Sequence, residues 1–241
     1  MMKLEICASN YQSAINAQTA GAHRIELCAE LAVGGLTPSY GLLKQVIEVL
    51  NIPVFVLIRP RSGNFTYSSD EFNIMKHDIA LCKNLGCDGI VSGVLKEDNT
   101  IDIERTKQLI KWSRPLDFTF HRAYDWTPNP FEALQQLIDL GVERVLTSGQ
   151  DNSAEEGLSN LIELQKMANK NIIILPGGGI TIENAKLFKD AGFNEIHASA
   201  TTLHKVNQSP NISMNSLKFF DETIEVVSDI NKIKGILNSC L

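Results

Sequence analysis

The sequence has no apolar run that approaches the roughly 18–20 residues of a membrane-spanning helix. Its first residues also lack the apolar core of a signal peptide, because Glu5 stands where that core would be. Basic residues are in the minority, with 22 Lys and Arg against 28 Asp and Glu, and the formal net charge of −6 argues against a nucleic-acid-binding or anionic-membrane-binding surface. We therefore expect a soluble protein with neither a nucleic-acid nor a membrane partner.

The 5 cysteines include no Cys-x-x-Cys pair, and their number is odd. This pattern is typical of reduced thiols in a cytoplasm and argues against a secreted disulfide framework. A chain of this length buries roughly 70–75% of its unfolded surface on folding, so it needs no disulfides. The cysteines therefore predict a cytoplasmic protein.

Short β-branched or apolar runs alternate with longer amphipathic stretches along the whole chain. The strand candidates are Leu4–Cys7, Arg24–Cys28, Val54–Ile58, Gly89–Gly93, Asp117–Phe120, Arg144–Thr147, Ile172–Leu175 and Glu195–Ala198. The helix candidates are Tyr11–Ala20, Tyr40–Leu50, Asp70–Leu85, Ile103–Trp112, Pro130–Leu140, Ala154–Ala168, Ile182–Ala191 and Asp221–Leu237. Each of the eight strands is thus followed by a helix.

Three helix–glycine–strand junctions, at Gly21, Gly141 and Gly192, repeat nearly the same phrase, as an array of βα units would. No linker divides the chain, and a polar loop at about 201–216 precedes the last helix. The sequence predicts an α/β protein that forms a single (β/α)8 TIM barrel over residues 1–241. An open doubly wound sheet would use the same alternation, but no Gly-x-Gly-x-x-Gly motif follows the first strand.

Functional residues of such barrels lie where the strands end. The first two strands end in Glu5-x-Cys7 and Glu26-x-Cys28, and residues i and i+2 of a strand share a face. Both pairs are therefore expected to point into the barrel mouth. Two soft thiolates converging there at about 5–7 Å could hold Cu(I), whereas a zinc site would need four ligands at familiar spacings. Two small apolar side chains filling a barrel layer explain the cysteines equally well.

The same rim carries candidate acid–base groups, Glu5, Glu26 and His121, of which the histidine could also be an ordinary core residue. The candidate ligand-binding side chains are Arg59, Arg61, Arg122, Asp125, Ser148, His197 and Ser199. Two arginines on one loop favour an anionic ligand. As an alternative, Arg59 and Arg61 could form ion pairs with Glu5 and Glu26.

Three consecutive glycines, Gly177, Gly178 and Gly179, follow the seventh strand, and a helix candidate opens soon after them. Bare backbone N–H groups in such a turn bind anions, and many barrels hold a phosphate after strands seven and eight. A tight turn that needs positive φ is the structural alternative. Three glycines exceed what one turn requires, so we expect an anion-binding loop here.

The ordered motifs along residues 2–200 resemble those of the CutC family. They are Leu4–Cys7, Gly21–Cys28, Gly34–Ser39, Ile58–Arg61, Phe118–Ala123, Arg144–Gly149 and Pro176–Ile180. The resemblance implies a cytoplasmic (β/α)8 barrel, often a homo-oligomer, with a role in copper homeostasis and copper binding. It also implies that Cys7 and Cys28 occupy the positions tied to Cu(I) ligation.

Two functions remain open on the sequence. The first is a copper homeostasis protein that binds Cu(I) through Cys7 and Cys28. The second is an isomerase, lyase or hydrolase acting on a small anionic or phosphorylated metabolite, since the rim carries more polar groups than a copper site needs. Copper homeostasis is the function that we predict.

Overall fold

Eight parallel strands run in sequence order around a nearly closed barrel in the computed structural model, which describes residues 2–205, 212 and 223–240. The strands are β1 (Lys3–Ala8), β2 (Arg24–Leu27), β3 (Val54–Leu57), β4 (Gly89–Ser92), β5 (Asp117–Phe120), β6 (Arg144–Thr147), β7 (Ile173–Pro176) and β8 (Glu195–Ala198). β8 pairs with β1, and a single bridge between Gly177 and His197 spans the remaining seam beside β7. The predicted TIM-barrel fold is confirmed.

Helices surround the strands. They are α1 (Tyr11–Ala20), α2 (Tyr40–Val49), α3 (Ser69–Leu85), α4 (Ile103–Ser113), α5 (Pro130–Asp139), α6 (Leu158–Ala168), α7 (Ala185–Asp190) and α8 (Ile230–Ser239). Local chemistry sets their ends: Ser68 and Glu71 form a reciprocal capping box at the start of α3, and Gly86 ends it at a φ of 82°. In the described part of the chain, no helix is long and apolar enough to cross a membrane.

The chain after β8 differs from the prediction. Thr201–Lys205, expected to begin a polar loop, is a strand (β9) that pairs antiparallel with β10 (Ile224–Ser228). The last helix was predicted from Asp221, but α8 begins at Ile230, behind the β-branched run of β10. The rest of that predicted loop and the predicted helix start fall on 206–211 and 213–222, outside the described residues.

Hydrogen bonds to α1 explain why the segment before α8 is extended. The Asn10 amide donates to the carbonyl of Val226 at 2.8 Å, and the Asn16 amide donates to the carbonyl of Ser228 at 2.8 Å. The Ser228 N–H in turn donates to Ser13 Oγ at 2.9 Å. These long-range bonds satisfy backbone groups of a strand, and no local sequence pattern reveals them.

Charged side chains, all buried except that of Asp117, meet towards the N-terminal ends of the strands. Arg24 Nη2 lies 2.7 Å from Glu195 Oε2, and Arg144 Nε lies 3.0 Å from the same oxygen. Arg24 also bonds Glu5, and Arg144 Nη1 lies 2.9 Å from Asp117 Oδ2. We call these five residues the ionic floor, because they close the barrel below the cavity described next.

The Phe55 ring packs against both arginines of the ionic floor, with its centroid 4.7 Å from Arg24 Cζ and 5.3 Å from Arg144 Cζ. The ring needs the space beside Gly89, where an added Cβ would lie 2.6 Å from ring atoms. A glycine on β4 therefore makes room for the aromatic side chain inside the barrel.

Candidate functional site

A cavity of about 820 Å³ opens at the C-terminal ends of the strands. Most of the predicted site residues line it, namely Cys7, Glu26, Arg59, His121, Arg122, Asp125, Gly178, Gly179, His197 and Ser199. The predicted residues that are not part of its wall are Glu5, Cys28, Arg61, Ser148 and Gly177. The expected gathering of polar groups at this end of the barrel is therefore observed for most of them.

The two strand-ending thiols touch. Cys7 Sγ lies 3.5 Å from Cys28 Sγ, and both side chains are buried. Cys7 pairs with Glu26 in the β1–β2 register, and Cys28 lies two residues after Glu26 along the chain. The separation is shorter than the roughly 5–7 Å expected from the sequence.

Glu26 and His197 complete a cluster around Cys7. The Cys7 thiol donates to Glu26 Oε1 at 3.6 Å, and one ligand atom from each of these three residues lies within 4.8 Å of the others. Sulfur, imidazole nitrogen and carboxylate oxygen are all metal ligands. Cys7, Cys28, Glu26 and His197 are thus the residues that could hold a metal ion.

The Glu5 carboxylate supports this cluster from below. Burial favours its neutral form, but the Arg24 charge and the His197 hydrogen bond and charge prevail and lower the pKa of Glu5 to about 2. Burial likewise opposes the charge on His197, whereas hydrogen bonds to Cys7 and Glu5 and the nearby carboxylates raise its pKa well above the usual value. The surroundings therefore favour the charged forms of both Glu5 and His197, which face each other across this pair.

Two groups of the cavity wall, the Glu26 carboxyl and the Cys7 thiol, have pKa values above their usual ranges. Burial raises the pKa of Glu26 to about 7, and its Oε2 atom has no hydrogen-bond partner in the part of the chain described. The hydrogen bond with Cys28, followed by burial, raises the pKa of the Cys7 thiol well above its usual value. A metal ion that binds Cys7 must therefore displace a proton.

His121 lies elsewhere on the cavity wall, and its ring centroid is 4.9 Å from that of Phe65. Burial, helped by the Arg59 charge, lowers the pKa of His121 to about 3, so the ring is neutral at physiological pH. Its Nδ1 accepts the Ala123 N–H at 3.2 Å, which places the ring proton on Nε2. That Nε2 has no partner among the described residues.

Neither predicted arginine of the third loop pairs with Glu5 or Glu26. The Arg59 guanidinium donates to the carbonyls of Val33 and Gly35 at 2.7 and 3.0 Å, which ties two loops together. Arg61 lies outside the cavity, where it forms an ion pair with Glu71. The alternative ion pairing is therefore wrong, because Glu5 takes Arg24 as its partner, while Arg59 remains part of the cavity wall.

Arg122 lines the cavity together with Arg59. Arg122 Nε donates to Asp125 Oδ2 at 2.7 Å and its Nη2 donates to Ser148 Oγ at 2.8 Å. The Asp125 carboxylate also accepts the N–H groups of Ser148 and Gln150. Asp125 and Ser148 thus hold the guanidinium in one orientation, a positioning role that the sequence motif did not reveal.

The triple glycine forms the adjoining loop. Gly178 and Gly179 have φ values of 106° and 78°, which only glycine adopts without strain. Gly177 is needed for space, since a Cβ there would lie 2.5 Å from Leu146 Cδ1. The turn therefore accounts for all three glycines structurally, and it also exposes their backbone to the cavity at Gly178 and Gly179.

Sequence reasoning missed the ionic floor and part of the cavity wall. Arg24 precedes Glu26 by two residues, so the alternation that places the Glu26 carboxylate on the inner face is a signal that could have placed Arg24 there as well. The wall also includes Phe65, Trp126 and Lys232, which lie on loops or on the last helix. Nothing in their local sequence distinguishes them from surface residues.

Comparisons with known proteins agree with this geometry. The CutC family model matches residues 2–202. A CutC family protein from Photorhabdus laumondii is 50% identical over 203 residues, covering 84% of this chain and 82% of the relative. The human copper homeostasis protein cutC homolog is 43% identical over 237 residues, covering 97% of this chain and 87% of the relative.

Solved structures give the same relationship. The crystal structure of a copper homeostasis protein CutC from Streptococcus agalactiae superposes with a TM-score of 0.79 at 37% identity, covering 83% of this chain and 99% of that one. Sequence and structure therefore agree over nearly the whole barrel, and this chain belongs to the CutC family of copper homeostasis proteins.

Proposed function

We propose that this protein acts in copper homeostasis by binding Cu(I) through the thiols of Cys7 and Cys28. The observation that carries the proposal is the 3.5 Å separation of the two sulfur atoms beside a cavity. Two relatives, from human and mouse, are named copper homeostasis proteins, which agrees with this ion.

The ligand chemistry favours Cu(I) over zinc. Soft thiolates select Cu(I), which accepts few ligands, whereas a structural zinc ion requires four. Reaching four ligands here would need both Glu26 and His197, whose pKa values are raised to about 7 and well above the usual value, respectively. To bind zinc, both side chains would have to lose protons while buried. A site formed by the two thiols alone avoids the free-energy cost of these two deprotonations.

His197 assists the thiols from its present position. Its hydrogen bond favours the Cys7 thiolate, because an imidazolium stabilises a neighbouring anion. Its Nδ1 lies 2.7 Å from Glu5 Oε1, so the carboxylate fixes the ring orientation. Once deprotonated, the other ring nitrogen of His197 would be free to act as a third ligand.

The test is an anaerobic Cu(I) titration against a competing chelator. The wild type should bind one equivalent tightly, and the Cys7→Ser/Cys28→Ser double variant should lose it. The Cys82→Ser/Cys87→Ser variant is the matched control, because it removes two other buried thiols. Unchanged binding by the first variant would refute the proposal, as would equal loss in the control.

The enzyme alternative gains no support from the family relationship. Glu5 lies below the cavity as a carboxylate with a pKa of about 2, so it has no proton to donate at neutral pH. Arg61, expected to clamp an anionic substrate, is paired with Glu71 outside the cavity. The polar groups of the cavity instead suggest ligand binding, which is taken up below.

Location and assembly complete the proposal. The unpaired state of the thiols in all described cysteines suits a reducing compartment, so we place the protein in the cytoplasm. Exposed apolar side chains such as Leu203, which is 64% exposed on β9, favour a homo-oligomer. Cell fractionation tests the location, and light scattering of the purified protein tests the assembly.

A further inference from the structure

The cavity is much larger than a metal ion requires. Its volume of about 820 Å³ falls in the range of sites that enclose small organic molecules, roughly 300–1,000 Å³. The thiol cluster occupies only its inner end, where Cys7 and Glu26 line the wall. The remaining space is large enough for a small organic molecule.

Two residues of the cavity wall carry buried polar atoms without a hydrogen-bond partner among the described residues. His121 is 5% exposed and Glu26 is 4% exposed, yet neither His121 Nε2 nor Glu26 Oε2 has a partner in the described part of the chain. Burying a polar atom without a hydrogen bond is costly, so such atoms are normally satisfied by a ligand or by water. Both residues belong to the cavity wall.

One side of the cavity is built for an oxyanion. Arg122 is fixed by Asp125 and Ser148 through Nε and Nη2, which leaves Nη1 without an acceptor among the described residues. That Nη1 lies 3.2 Å from the position that a Cβ of Gly178 would occupy. A side chain at this position would therefore fill the space directly in front of the guanidinium.

Backbone donors lie on loops that line the same cavity. The N–H groups of Gly179 and Ile180 on the β7 loop, and that of Ala200 on the β8 loop, donate to no acceptor that the structure describes. Successive N–H groups in a turn with positive φ, as at Gly178 and Gly179, form a concave anion site. Donors from two loops and one arginine suit the several oxygens of a phosphate better than the two of a carboxylate.

Nearby carboxylates do not oppose this assignment. Asp125 is already bonded to Arg122 and to the N–H groups of the sixth loop. Glu183 is exposed to solvent at the rim, where water screens its charge. Lys232, which also lines the cavity, adds a second cation and donates to the Thr201 carbonyl at 2.6 Å.

The geometry points to a second ligand site in the outer cavity, which takes the phosphate group of a small organic phosphate on Arg122 and the Gly178–Gly179 turn. The organic part extends inward along the part of the wall that includes His121 and Phe65. This site is separate from the thiol pair and does not depend on copper binding.

The test uses metal-free protein and calorimetric titration with inorganic phosphate, glycerol phosphate, glycerol and acetate. Phosphate should bind, and glycerol phosphate should bind more tightly, because its organic part uses the cavity. Arg122→Gln should weaken both by about tenfold or more, the loss expected for a charge-assisted hydrogen bond. Arg114→Gln is the control, since both arginine side chains are 43% exposed but Arg114 pairs with Glu143 outside the cavity.

Several outcomes would overturn the inference. They are no phosphate binding, equal loss in the Arg122 and Arg114 variants, or tighter binding of acetate than of phosphate. Equal affinity for phosphate and glycerol phosphate would overturn the organic ligand. The Cys7→Ser/Cys28→Ser variant should keep its phosphate affinity, so failure of the copper proposal and failure of this one remain distinguishable.

Discussion

His197 Nδ1 lies 2.7 Å from Glu5 Oε1, across the pairing of β8 with β1. The second Glu5 oxygen is bonded to Arg24 of the ionic floor. One buried carboxylate therefore joins two functions: it neutralises a structural arginine and it orients a histidine beside the thiols. Changing Glu5 should disturb stability and metal binding together.

We expect Glu5→Gln to lower the free energy of unfolding by about 3 kcal/mol, the cost of leaving buried cations without one of their anions. Arg24 would keep only Glu195, and His197 would lose its carboxylate partner. Urea unfolding followed by circular dichroism measures the change. Glu48→Gln is the control, because its exposed pairing with Lys44 is worth less than about 0.5 kcal/mol. A loss below about 1 kcal/mol for Glu5→Gln would contradict a stabilising role.

Cu(I) affinity should rise with pH. The Cys7 thiol has a pKa well above its usual value, so at neutral pH the ion must displace its proton. Each displaced proton strengthens apparent binding by about tenfold per pH unit. Competition titrations at two pH values one unit apart, corrected for protonation of the chelator, measure this dependence. An affinity that does not change with pH would show that the thiols are already ionised before the metal arrives.

His121 should destabilise the fold in mild acid. Its pKa is about 3 in the folded protein and about 6.5 in the unfolded chain, so the unfolded chain binds more protons between these values. The contribution of neutral His121 to the free energy of unfolding is therefore fully present above pH 6.5. It is lost as the pH falls towards 3, by up to about 1.4 kcal/mol per pH unit. The His121→Gln variant has no imidazole to protonate, so its free energy of unfolding should not show this pH dependence. The difference in the free energy of unfolding between the wild type and the variant should therefore shrink between pH 7 and pH 5.

The exposed His77 on α3 offers the matched control. The difference in unfolding free energy between His77→Gln and the wild type should stay nearly constant over the same pH range. If the His121→Gln difference were equally constant, the buried ring would not be the source of the acid sensitivity.

Two glycine substitutions should have opposite signs. Gly89→Ala places a methyl group 2.6 Å from the Phe55 ring, and we expect a loss of about 2 kcal/mol or more from the forced repacking. Gly41→Ala meets nothing within 4 Å on the exposed side of α2 and should stabilise by about 0.5 kcal/mol through helix propensity. Thermal unfolding of both variants gives the comparison; a neutral Gly89→Ala would mean that Phe55 can move aside.

Most of the barrel was predictable from the sequence because its signals are local. Strand runs such as Asp117–Phe120 and glycine-ended helices such as α3 depend on neighbouring residues only, and their predicted bounds agree with the structure to within a residue or two. The two strands after β8, β9 and β10, could not be predicted in this way. Hydrogen bonds from Asn10 and Asn16 to β10 join residues that are more than 200 positions apart in the sequence. No local pattern records such a pairing.

For the site, strand alternation correctly placed Cys7 and Glu26 on the inner face. Their distances could not be predicted, since the offset between β1 and β2 decides which side chains meet. The partners of the arginines also escaped prediction. Arg59 bonds backbone carbonyls that only the folded loops bring within reach, and Arg61 meets Glu71 on a helix that follows.

The ionic floor fills the interior of the barrel at the end opposite the cavity. The cavity that reaches Cys7 is lined further out by Arg122 and Gly178, so it offers a metal ion a route to the thiols past these two residues. A ligand bound at Arg122 and Gly178 would lie on this route, outside a metal ion that is already bound at the thiols. While such a ligand is bound, it would slow the exchange of the metal ion with solvent without contacting that ion.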